Sequence, residues 1–281
     1  MPILGITDNM TDWPDDMTEP LVAAGYCVVR HELRDSGHST HFSEAGLPDL
    51  AAATATRSAG QLPDAPYSME DVATDVLALM RTLNIPRAAL VGYSYGGAVA
   101  QLLALLSPAS ISALVCLQSS NYDDALPPRT PAVNAAMLNA SKPYTTERET
   151  IAAMTALRLA TNGLRFRMDE AEAAASAKIS IGRAYVPAGT QRLVLSRLAT
   201  PRFSERTAAI RTPTLVLHGT HDPIFPLAHG EDIARRVPDA RLVVLQGAGH
   251  NHPRTLRPVI VEHLLAFLKA NAPATARDAD R

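Results

Sequence analysis

Eight residues from Val91 to Ala98, Val-Gly-Tyr-Ser-Tyr-Gly-Gly-Ala, constrain this chain more than any other stretch. An apolar run, Ala88 to Val91, leads into them, and helix-forming residues from Ala98 to Leu106 lead out. Gly92, Ser94 and Gly96 fit G-x-S-x-G, a sharp strand-to-helix turn that lifts a serine hydroxyl clear of a sheet. Such a serine sits in strained backbone, and side chains two residues to either side would strike it, so glycine is selected at both places. The helix beginning there points free N–H groups and its positive end at the serine, favouring developing negative charge. A chain built around this turn is an α/β protein.

The flanking sequence has the matching grammar. Pro2 to Ile6 is a short apolar strand, Trp13 to Ala24 a helix stopped by Gly25, and Tyr26 to Leu33 a buried strand. Arg34 to Gly60 reads as loop, and Ser68 with Asp71 caps a helix whose apolar positions are Val72, Val76, Leu79, Met80 and Leu83. Ala113 to Leu117 is a further strand. From Tyr122 to about Ala209 the chain becomes alanine-rich, with five helical segments separated by prolines. Strand and helix then alternate again: Thr214 to Leu217, Ala228 to Val237, Leu242 to Leu245, Leu256 to Lys269. Strands alternating with helices predict a mostly parallel sheet covered on both faces, with residues 1–121 and 210–270 forming the core. Residues 122–209 would form a helical cap over the carboxyl ends of the strands, and 271–281 a flexible tail.

Composition excludes several function classes. The 281 residues carry a formal charge of −2 and no basic run, which argues against nucleic-acid partners. No apolar stretch reaches the roughly 20 residues a bilayer span needs, and no secretory signal is visible, so a cytoplasmic setting is expected. Cys27 and Cys116 lie in apolar runs and read as buried small hydrophobes. The sequence leaves a homo-oligomer open.

A serine needs a base, and the base needs an acid to orient it. Asp222 stands just beyond the Thr214 to Leu217 strand, in His-Gly-Thr-His-Asp-Pro, and His250 just beyond Leu242 to Leu245, in Gly-Ala-Gly-His. Both emerge at the same sheet edge as Ser94. Asp123 and Asp124 are rival acids and His252 a rival base; the remaining histidines, including His218 and His229, read as surface or turn residues. His218, His221 and Asp222 lack a further ligand at metal spacing, so neither a metal nor a cofactor is expected. The oxyanion of acyl transfer needs two donors, for which the backbone N–H groups of Tyr95 and Ile6 are placed.

On these residues the chain resembles the α/β-hydrolase superfamily, in which the order Ser, Asp, His recurs. Within it, the aclacinomycin methylesterase-like esterases are most similar. That resemblance is carried by Trp13-Pro14-Asp15-Asp16, Arg34 to Thr40, the elbow, His221-Asp222-Pro223-Ile224, Pro226 and Gly247 to His250. It implies Ser94 as nucleophile, Asp222 and His250 as its relay, and the Ile6 and Tyr95 amides as oxyanion donors. Two departures stand out. The hairpin that usually precedes the first strand here is absent or lies before the assigned start, leaving Tyr26 to Leu33 as an exposed edge, and Ile6 stands where relatives often carry glycine. A bulky apolar ester is the expected substrate, a methyl ester from polyketide tailoring being one form of it. Perhydrolase, C–C hydrolase and decarboxylative chemistry use the same triad, and a receptor can retain it with little turnover.

Overall fold

The computed structural model describes residues 1–271. The strands are β1 (Pro2–Ile3), β2 (Ala88–Tyr93), β3 (Ile111–Leu117), β4 (Thr214–Gly219) and β5 (Arg241–Leu245). The helices are α1 (Asp15–Ala23), α2 (Leu50–Ser58), α3 (Met69–Thr82), α4 (Tyr95–Leu106), α5 (Pro131–Ala140), α6 (Glu147–Ala160), α7 (Glu170–Arg183), α8 (Pro187–Ala199), α9 (Ala228–Arg236) and α10 (Arg257–Asn271).

Among the described residues the sheet has five strands in the order β1-β2-β3-β4-β5, every pair parallel. Central β3 reads Ile-Ser-Ala-Leu-Val-Cys-Leu and is buried throughout, as a parallel strand covered on both faces must be. One face packs Leu90, Leu114 and Val216 against Val76 of α3, Leu102 and Leu103 of α4 and Ile233 of α9. The other packs Val91, Val115 and Leu215 against Met17 and Leu21 of α1 and Ile260 and Leu264 of α10. The capping box predicted for α3 is present, with Ser68 and Asp71 each accepting the other's backbone N–H.

Three expectations need correction. Tyr26 to Leu33 joins no ladder among the described residues, since β1 at the edge spans only two residues and offers it too little backbone to pair with. Cys27 on that segment is accordingly exposed, whereas Cys116 is buried as expected, its thiol pushed up to about 12 by loss of water. Residues Leu50–Ser58, read as loop, form α2, capped by the Asp49 carboxylate. Its sequence, Leu-Ala-Ala-Ala-Thr-Ala-Thr-Arg-Ser, buries only Ala53, and the helix is held by docking against Leu195 and Leu198 of α8.

The segment between β3 and β4 holds four α-helices, α5 to α8, and a short 3-10 turn at Glu205–Ala209, rather than five helical segments of one kind. Helices α5, α6 and α7 share a small core of Val133, Met154, Leu157 and Ala177. In contrast, α8 belongs with the sheet: Leu193 joins the core beneath it, and Arg192 meets Asp35 at 2.7 Å with both side chains almost fully buried. Tyr67 donates a further hydrogen bond to that carboxylate at 2.6 Å. The expected tail over 271–281 lies outside the described residues except for Asn271, which closes α10.

Candidate active site

Ser94 joins β2 to α4 at φ 55 and ψ −123, the strained left-handed region predicted for it. The glycines around it are sterically required. A Cβ on Gly92 would lie 2.4 Å from the Gly96 carbonyl oxygen, and one on Gly96 would lie 2.1 Å from the Ile3 carbonyl oxygen.

The other two residues arrive from the ends of β4 and β5. The Ser94 hydroxyl lies 3.0 Å from His250 Nε2, and His250 Nδ1 lies 2.7 Å from Asp222 Oδ2. A carboxylate at Nδ1 requires the proton there, which leaves Nε2 free to accept from the serine. Asp222 Oδ1 accepts the Ile224 and Phe225 N–H groups, each at 2.9 Å. Burial pushes the Asp222 carboxyl up, but the His250 imidazole, its hydrogen bond and the Phe225 amide outweigh that and hold it below the ordinary range. All three side chains are buried, and Ser94 and His250 line a cavity of about 720 Å³.

The rivals have other partners. Asp123 pairs with Arg236 and Asp124 with Arg202. The His252 ring binds Gln118 Oε1 at 2.7 Å and packs 4.4 Å from the Tyr93 ring. Burial and the neighbouring His250 push His252 down to about 3, so it stays neutral. His218 and His229 are buried rather than superficial: His218 Nε2 bonds the Phe225 carbonyl, and His229 bonds the Pro127 carbonyl through Nε2 and the Ser120 hydroxyl through Nδ1. His221 is exposed and bonds Thr220.

Several supporting residues left little trace in the sequence. Gln118 donates to the Gly249 carbonyl while holding His252, so it clamps both sides of His250 from the end of β3. Tyr93 donates to the His250 carbonyl at 2.9 Å. Asp8 stands in the loop after β1 and accepts the Gly5 N–H at 3.0 Å. Burial and the nearby Asp12 outweigh Arg158 and raise the Asp8 carboxyl to about 7. Within this loop Ile6 lines the cavity, as does Tyr95 after the serine, and among the described residues neither backbone N–H is taken by a turn or cap hydrogen bond.

Residues 3–252 match the family described as alpha/beta hydrolase fold. The chain belongs to the α/β-hydrolase family. Among curated relatives, this α/β-hydrolase is similar to rhodomycin D methylesterase DauP of Streptomyces sp. (strain C5), 26% identical over 95% of this chain and 90% of that one. It is similar also to the putative carbamate hydrolase RutD of Pseudomonas savastanoi pv. phaseolicola (strain 1448A / Race 6), 30% identical over 76% of this chain and 80% of the other. Among solved structures, the esterase RhEst1 from Rhodococcus sp. ECU1013 superposes with a TM-score of 0.72 at 19% identity, covering 96% of this chain and 90% of that one. The methylesterase likeness read from the loops and the elbow is thus borne out by DauP. No helix among the described residues is long and apolar enough to cross a membrane.

Proposed function

We propose that this α/β-hydrolase cleaves a carboxylic ester through an acyl-enzyme on Ser94. The observation that carries the proposal is the unbroken hydrogen-bonded chain from the Ser94 hydroxyl through His250 to Asp222, opening on the cavity. His250 takes the serine proton as the oxygen attacks the ester carbonyl, and Asp222 stabilises the resulting imidazolium. The Ile6 and Tyr95 amides hold the tetrahedral oxyanion, a donor of this kind contributing about 3 kcal/mol. The alcohol leaves with the proton from His250, and water repeats the sequence on the acyl-enzyme. No step calls on a metal or cofactor.

The segment 122–209, in which α8 packs with the sheet while its Val194 and Arg197 line the cavity, acts as the selecting cap. Of the apolar residues expected there, Met137, Met154, Leu157, Met168 and Val194 line the cavity, whereas Leu138 and Leu164 face water. Methionines make an adaptable wall, and a cavity of this size accommodates a ring system rather than an acetate. A bulky, largely apolar ester is therefore the proposed substrate, in keeping with the methylesterases among the relatives.

Burst kinetics with p-nitrophenyl acetate test the chemistry. Stoichiometric early release of nitrophenol followed by steady turnover is expected, with neither phase in Ser94→Ala. Undiminished turnover in that variant, or release that stops after one equivalent, would overturn the proposal.

A further inference from the structure

Four arginines line the cavity, and they divide into two kinds. Arg158 meets Asp12 at 2.8 Å and Arg257 meets Asp16 at 2.9 Å. Arg129, just before α5, and Arg197, on α8, have no carboxylate within ion-pair distance among the described residues. Arg129 instead directs a guanidinium nitrogen at the Met137 sulfur, 2.9 Å away, which is a feeble acceptor. The Arg197 guanidinium lies 5.2 Å from the Tyr122 ring centroid, over its face. The two are close enough to repel: burial and then Arg197 lower the Arg129 pKa, and only the Tyr122 phenol works against them. Asp123 and Asp124 lie on the same loop but are engaged by Arg236 and Arg202.

Two like charges facing one partly buried cavity without a counter-ion are costly to the free protein, and nearby acids that could relieve them are committed elsewhere. Guanidinium forks on two different elements match the two oxygens of a carboxylate. We infer that Arg129 and Arg197 form a subsite for a carboxylate carried by the substrate at a distance from the scissile ester, so that the enzyme takes amphipathic half-esters with an apolar body and one acidic end. This inference deepens the esterase proposal and rests on it.

The experiment compares p-nitrophenyl hydrogen suberate with p-nitrophenyl octanoate, which share a chain length and differ in the terminal carboxylate. In the wild type the acidic ester should have the lower KM, and added salt should raise that KM. Arg129→Gln and Arg197→Gln should each raise it at least tenfold while leaving KM and kcat for the octanoate within a factor of about two. A wild type that prefers the octanoate, or variants that affect both esters equally, would overturn the subsite. Should neither ester turn over, the esterase proposal fails, and binding decides the subsite separately. Monomethyl suberate titrated calorimetrically into Ser94→Ala should bind, and adding Arg129→Gln should weaken it tenfold. Absence of binding, indifference to Arg129, or tighter binding of octyl phosphate in the same titration would contradict a carboxylate subsite.

Discussion

The strand-end loops and the wall formed by α5 to α8 meet at one cavity but are built on different terms. Around Ser94, His250 and Asp222, hydrogen bonds are assigned several residues deep: Asp222 to two backbone amides, the His250 carbonyl to Tyr93, and the flanking loop to Gln118. The same cavity is also lined by methionines and by two arginines that have no counter-ion among the described residues. A preorganised centre of this kind needs no substrate to complete it, since its dipoles are fixed before reaction. On the proposed reading, chemistry and selection are divided between these two regions, and each can be altered separately.

The largest effects are expected on the strand-end side. Ser94→Ala and His250→Ala should each lower kcat for every ester by about a thousandfold or more, and the double variant should be little worse, because the residues act as a unit. His252→Ala, measured alongside, should retain kcat within roughly tenfold, its ring being a neutral support for Gln118. An exchange of effects between the two histidines would assign the base to His252.

On the other side of the comparison, Met154→Ser with Val194→Ser should raise KM for bulky apolar esters about tenfold through lost apolar contact, and change that for p-nitrophenyl acetate little. Equal losses for large and small esters in a folded variant would show that the wall does not select. The smallest effect concerns stability. Asp8 has its folded pKa raised from 3.8 to about 7, so the folded state binds more protons than the unfolded state between those values. Its contribution is therefore present below about pH 4 and is lost as pH rises toward 7. Asp8→Asn should melt higher than wild type by a few degrees at pH 8, and by less at pH 5. An advantage larger at pH 5 would reverse the sign and contradict the raised Asp8 carboxyl.

The parts legible in the sequence are those fixed by local backbone necessity. The elbow demanded its glycines, the sheet core demanded uninterrupted apolar runs, and strand phase brought Asp222 and His250 to one edge. The Ser68–Asp71 box was equally plain, because both of its partners are local. What could not be read depends on contacts between distant segments. Helix α2 has a weak apolar face and exists because Leu195 and Leu198 of α8 dock on it. Tyr26 to Leu33 has strand-like residues, yet a two-residue β1 gives it no ladder. Gln118 and Asp8 matter through partners more than a hundred residues away, or through desolvation that a polar-looking turn does not advertise. The burial of His218 and His229 likewise depends on carbonyls that only the folded chain supplies.

Ser94 is proposed to carry the acyl group in turnover. Intact-mass and peptide mass spectrometry of the enzyme quenched within the burst of p-nitrophenyl acetate hydrolysis tests it most directly. One acetyl group per chain, mapped to the peptide containing Ser94 and absent from Ser94→Ala, is the predicted result. Full turnover with no adduct at Ser94, or an acetyl group mapped to another residue at a competent rate, would contradict it.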